Sequence, residues 1–115
     1  MNAEQFVDVI RKVVTESSVK GIGSILESPP GRKPRKDLLE MSAYYNERTD
    51  EEKEVINKII RLSVDNAVFG FLCVLDGVRA IEDEEEKGTL SLIYKKDEEV
   101  VLNKDEDLHD YYKAV

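Results

Sequence analysis

The sequence is short of the residues from which most protein chemistry is built. It has one cysteine and one histidine, Cys73 and His109. A single cysteine excludes an intrachain disulfide, and one Cys with one His cannot assemble a usual zinc site unless carboxylates make up the number. No apolar run approaches the roughly 18–20 residues that span a bilayer. The opening stretch, MNAEQFVDVIRKVV, lacks a signal-peptide layout because Glu4 and Asp8 interrupt its basic and apolar regions. Missing too are a Gly-x-Ser-x-Gly elbow and a phosphate-binding Walker loop. Gly21-Ile22-Gly23 opens like a dinucleotide fingerprint, but Leu26 stands where a third glycine is required, with no strand before it. These absences indicate no membrane span, no metal, no cofactor and no catalytic residue, and a cytoplasmic location.

What is present is charge. Charged residues make up 37% of the 115 residues and hydrophobic ones 41%, the balance of a globular chain with a heavily solvated exterior. The net charge of −8 is uneven, because residues 1–48 sum to +1 and residues 49–115 to −9. An acidic second half repels nucleic acid and acidic membranes and suits a basic protein partner.

The helical signals come in three blocks. Asn2 with Gln5 forms a capping-box pattern, and Phe6, Val9, Ile10, Val13 and Val14 follow at helical spacing, predicting a helix over about 3–19 that stops at Lys20-Gly21. After the Pro29-Pro30-Gly31 breaker, a second helix is expected over 35–47, with Leu38, Leu39, Ser42 and Tyr45 on its inner face. Thr49 with Glu52 is another capping box, opening a helical pattern that persists over 50–83. Ile56, Ile60, Ser63, Ala67, Gly70, Val74, Val78 and Ile81 fall within about 40° of one line. Val68, Phe69, Leu72, Cys73 and Leu75 make the opposite side apolar too, so this stretch should be buried all round.

A straight 50–83 helix would measure about 51 Å, against about 35 Å for a compact domain of this length, so the segment must kink, break or protrude into a partner, with Gly70 and Gly77 as weak points. Beyond Gly88, residues 89–94 and 99–102 read as two strands round a polar turn, a hairpin over about 89–102. Leu108–Tyr112 suits a last helical turn. The expected fold is therefore α+β: one domain, residues 1–115, a mainly helical bundle around a central hydrophobic helix with a C-terminal β-hairpin.

Val68–Asp83, VFGFLCVLDGVRAIED, resembles the central signature of a family of small uncharacterised bacterial proteins. Tyr44-Tyr45-Asn46 and Leu108-His109-Asp110 fit the same pattern. The resemblance covers about residues 34–112. It implies a bacterial cytosolic protein of one domain and supplies no mechanism.

Two clusters stand out as candidate sites. Arg61, Asp65, Asp76, Arg79 and Asp83 form a polar stripe on the greasy helix, with Asp76 and Arg79 at i,i+3 spacing for a partly buried ion pair. The stripe reads as a structural ion-pair network or, alternatively, as a polar pocket. Arg32, Lys33, Arg35 and Lys36 crowd the expected start of the second helix, where the dipole already favours anions, and form a candidate anion- or partner-binding loop. His109-Asp110 suits a capping or surface pair, Cys73 a core position. The five tyrosines, Tyr44, Tyr45, Tyr94, Tyr111 and Tyr112, suit core edges or interfaces.

The functional expectation is a non-enzymatic protein-interaction module, such as an immunity-type or inhibitor protein that offers its acidic surface to a basic partner. A homo-oligomer is compatible with the sequence. The alternative is a small enzyme or anionic-ligand-binding protein that uses the Asp65/Asp76/Arg79 stripe with the Arg32–Lys36 loop.

Overall fold

Asn2 opens the first helix as its pattern predicts. Its side chain accepts from the Gln5 N–H at 2.8 Å, while the Gln5 side chain accepts from the Asn2 N–H at 3.0 Å. In the computed structural model, which describes residues 1–113, this helix does not stop at Lys20-Gly21. It runs as α1 (Ala3–Ile10), widens into a π-helical segment over Arg11–Glu16, and continues as α2 (Ser17–Glu27). Gly21 keeps a negative φ and terminates nothing. Ile22, Ile25 and Leu26 carry the apolar pattern one more stretch, until Ser28 turns extended and Pro29-Pro30 ends it.

The inward face also differs from the expected one. Ala3, Val7 and Thr15 are buried, whereas Val9, Val13 and Val14 are exposed. Both faces are apolar, and the face that docks is set by what lies opposite.

α3 spans Lys36–Asn46 and α4 spans Asp50–Leu75. Thr49 caps α4, with its hydroxyl accepting from the Glu52 N–H at 3.2 Å and the Glu52 carboxylate accepting from the Thr49 N–H at 2.8 Å. On α3, Ser42 and Tyr45 turn inward, and Leu39 stays exposed.

α4 passes Gly70 unbroken and ends before Gly77, whose φ of 77° is the left-handed conformation that glycine adopts without strain. Residues 78–83 are therefore not helical, and Val78 and Ile81 are exposed rather than continuing the apolar line. Nor is α4 buried all round. Leu72 and Cys73 are buried, but Phe71 is 63% exposed.

The chain then runs without regular structure to the antiparallel hairpin, β1 (Ile93–Lys95) with β2 (Glu99–Val101), in the register Ile93 to Val101 and Lys95 to Glu99. The strands are shorter than the 89–102 span expected from sequence. α5 (Leu108–Lys113) closes the described chain. The fold is α+β and mainly helical, with a C-terminal two-stranded hairpin.

One end of the molecule holds the core. Ala3 and Val7 of α1, Leu72 of α4, Leu102 after the hairpin, and Leu108 and Tyr112 of α5 form one buried cluster, against which Leu92 and Tyr94 pack. Asn103 ties this end together. Its amide donates to the Leu75 carbonyl at the end of α4 (2.7 Å) and to Leu90 O (3.0 Å), while its oxygen accepts from the Leu92 N–H (2.9 Å).

The other end, made of α2, α3 and the first half of α4, buries little. α2 has no buried residue, and Tyr45 is the buried hydrophobic side chain of α3. The molecule is accordingly extended. Its radius of gyration is 18.2 Å, against about 13 Å for a compact chain of this length.

Candidate functional site

The polar stripe is real but is not wired as its spacing suggests. Arg61 forms a two-pronged pair with Glu16 of the π-helical segment, at 2.8 and 2.9 Å. Asp65 accepts the Tyr112 hydroxyl at 2.7 Å, and the Thr15 hydroxyl lies 2.7 Å from the same Tyr112 oxygen. A phenol has one proton, and a carboxylate can only accept, so Tyr112 donates to Asp65 and Thr15 donates to Tyr112. Arg11 completes this knot. Its guanidinium sits 4.3 Å from the Tyr112 ring centroid and donates to the Tyr112 carbonyl at 2.8 Å, capping the end of α5. Arg11, Thr15 and Glu16 had no sequence signal of their own, and Tyr112 was marked only as a core-edge or interface tyrosine, because these residues join the stripe across roughly 50 to 100 positions of chain.

Burial pushes the Tyr112 phenol above its ordinary value. The Thr15 hydrogen bond opposes that rise, and the Asp65 carboxylate adds to it. A native pKa above the unfolded value of about 10 means that the unfolded chain loses this proton first. The contribution is whole below pH 10 and is lost as pH climbs through the native value. The expected result is a melting temperature that falls steeply above about pH 10. Tyr112→Phe should be less stable at neutral pH and should decline less steeply over the same alkaline range, as thermal melts at several pH values would show.

Asp76 and Arg79 do not pair. The helix ends at Leu75 with Asp76 as its cap, and Gly77 redirects the chain, so helical i,i+3 geometry no longer applies. The Asp76 side chain is fully buried and turns to α5 instead. Its Oδ2 accepts the His109 backbone N–H at 2.8 Å and the His109 Nδ1–H at 2.6 Å. Asp76 thus serves the first turn of α5 as a cap from a distant part of the chain. His109 Nε2 lies 3.3 Å from the exposed Asp110, and the His109 ring meets Phe69 edge-on.

Arg79 folds back over Gly70, where an added Cβ would lie 2.5 Å from its guanidinium. Arg79 is exposed and flexible, so it can move aside at little cost. Gly70→Ala is therefore expected to stabilise α4 by up to about 1 kcal/mol through helix propensity. A lowered melting temperature would mean that the guanidinium contact is structural. Asp83 stays exposed and joins no part of the network.

Carboxylates do gather round the lone histidine. Asp76, Asp107 and His109 bring donor atoms within 4.8 Å of one another, a mixed oxygen and nitrogen set of the kind that divalent transition metals accept. The Nδ1 of His109 and one oxygen of Asp76 are already engaged with each other, and the other Asp76 oxygen is buried without a partner. In this arrangement the group serves as the join between α4 and α5.

The basic loop lies open. Arg32, Lys33, Arg35 and Lys36 are all exposed, and Arg35 is clamped by Asp37, with Nε to Oδ1 at 3.0 Å. That pair holds the Asp37 carboxyl below its ordinary value and answers part of the local charge. The loop and the stripe do not share a pocket. The stripe residues Arg61 and Asp65 face the π-helical segment and α5, whereas the loop leads into α3.

The largest unexplained feature is apolar. Along α4, Val55 (56% exposed), Ile59 (57%) and Leu62 (69%) stand on one line at i, i+4 and i+7 spacing. Beside this ridge, Ile56 and Ile60 of α4, Ile22 and Leu26 of α2, and Met41 and Tyr44 of α3 line a groove of about 450 Å³. Glu40 is its charged residue. Sequence periodicity missed this surface because it assigned Ile56 and Ile60 to a closed core.

Among the described residues, no helix is long and apolar enough to cross a membrane. No family model, curated protein or solved structure matches the chain.

Proposed function

We propose that this chain is a non-enzymatic protein-interaction module that works through the apolar surface of α2, α3 and α4. One observation carries the reading. Among the described residues, eighteen large hydrophobic side chains are more than a third exposed while eight hydrophobic residues are buried, and three of the four exposed ones on α4, Val55, Ile59 and Leu62, are aligned rather than scattered. Scattered apolar residues are normal on a surface, but a contiguous apolar ridge and groove marks an interaction site. Polar groups support the same reading by what they are committed to. Asp65, Asp76 and Arg61 are each engaged in joining elements of the fold, so they hold structure rather than a substrate. The reading places the chain in the cytosol, where a lone buried thiol such as Cys73 needs no pairing.

The test is a photo-reactive side chain placed at position 62 in living cells. A discrete covalent adduct is expected from position 62, and none from position 84 in the exposed acidic run. Absence of an adduct from positions 44, 59 and 62 alike would overturn the proposal.

A further inference from the structure

We infer that the partner at this surface is a second copy of the chain, an inference that rests on the interaction reading above and names its occupant. The accessible surface is 8792 Å², about 2,400 Å² more than the roughly 6,400 Å² expected for a compact monomer of 13.1 kDa. A standard interface removes about 800 Å² from each partner, so the excess is ample for a stable dimer.

The shape of the surface argues for self-association in particular. Ridge and groove lie side by side on the same helix. Val55 and Ile59 point about 60–140° round α4 from Ile56 and Ile60, at 100° per residue. Two copies related by a two-fold axis can therefore each set the Val55–Ile59–Leu62 ridge into the Ile22–Met41–Ile60 groove of the other. Such reciprocity, in which one patch is its own complement, is the defining property of a two-fold interface.

The chemistry points the same way. A basic partner would require carboxylates facing it, and the groove offers Glu40 alone, while the acidic run Glu82–Glu86 lies in the segment after α4. The need is also located correctly. The end built from α2, α3 and the start of α4 lacks a core of its own, and a second copy would supply one.

The association has a distinctive salt dependence. Each copy carries −8, so long-range repulsion opposes the contact and salt screens it. The dimer should tighten as salt rises from about 0.02 M to about 0.5 M, whereas a charge-driven complex with a basic partner would loosen.

Sedimentation equilibrium of the purified chain tests the inference. At about 100 µM, a Kd near 1 µM or tighter gives a mass of twice 13.1 kDa for the wild type. Leu62→Glu on the ridge and Met41→Glu on the groove should each return it to a single copy with unchanged helical circular dichroism. A wild type that stays single at every concentration overturns the inference, as does a dimer that survives both substitutions. Hydrogen exchange on the wild type at low and high concentration makes the test independent of any variant. Amides of residues 41–45 and 55–62 should gain protection on association, and protection gained only at the hairpin and α5 would overturn it. If the purified chain is single while position 62 cross-links to a protein of another mass in cells, the interaction reading stands and the second copy is excluded.

Discussion

Asp76→Ala should lower the stability of the folded chain by about 3 kcal/mol, the usual cost of removing one partner from a buried polar pair. The side chain is fully buried and holds two donors at once, the backbone N–H of His109 and its ring Nδ1–H. Truncation strands both in a site that water does not reach, and a stranded buried donor costs about 1–3 kcal/mol. It also uncaps α5, a helix of six residues that cannot persist without tertiary support. Thermal melts of Asp76→Ala, His109→Ala and the double variant give the coupling directly. Contacting residues in one network typically couple by about 0.5–3 kcal/mol, and a coupling near zero would show that Asp76 acts on the α5 backbone alone. An unchanged melting temperature in Asp76→Ala would contradict the buried placement itself.

Leu108→Ala should cost about 3–4 kcal/mol, within the range for truncating a fully buried leucine. Leu108 is 0% exposed and sits with Val7 and Leu72 in the buried cluster where α5 meets both α1 and α4. Its loss leaves a cavity between three elements, none of which can close it without breaking the Arg11 and Asp76 contacts that hold α5 at its two ends. At roughly 4 °C per kcal/mol, the melting temperature should fall by about 12 °C or more. Leu62→Ala on the ridge provides the contrast. In dilute, single-copy protein it should change stability by less than about 0.5 kcal/mol, as surface substitutions do. A large loss there under dissociating conditions would place Leu62 inside the protomer's core and remove the ridge.

Local signals were legible wherever the chemistry is local. The capping boxes at Asn2–Gln5 and Thr49–Glu52 are complete, because a cap needs only residues three apart. The polar turn expected at Lys95–Glu98 falls at residues 96–98, between β1 and β2, with Lys95 ending β1, and Gly77 marks the end of α4 as one of its two named weak points. Gly21 misled because a glycine can end a helix or be carried within one. The choice belongs to the residues beyond it, and Ile22, Ile25 and Leu26 carried the pattern on. The supposed Asp76–Arg79 pair failed for a related reason. Helical spacing holds only while the helix lasts, and α4 stopped one residue before Asp76.

The sequence by itself determined the class of the protein: mainly helical, acidic, with a hairpin late in the chain and with no residue pattern for familiar catalysis. Periodicity, caps and breakers act over a few residues, so those features needed no knowledge of what lies across the fold. Tertiary structure decided the rest. Whether the Val7 face or the Val9 and Val13 face of the first helical stretch turns inward depends on α5, about a hundred positions away, and α5 likewise supplies the Tyr112 knot, 97 positions from Thr15, and the Asp76–His109 join, 33 positions apart. It also decided that Ile56, Ile59 and Leu62, core residues by composition, face a groove or solvent. An apolar pattern tells a side chain to leave water. Only the packed fold shows whether the chain has anything of its own to put against it.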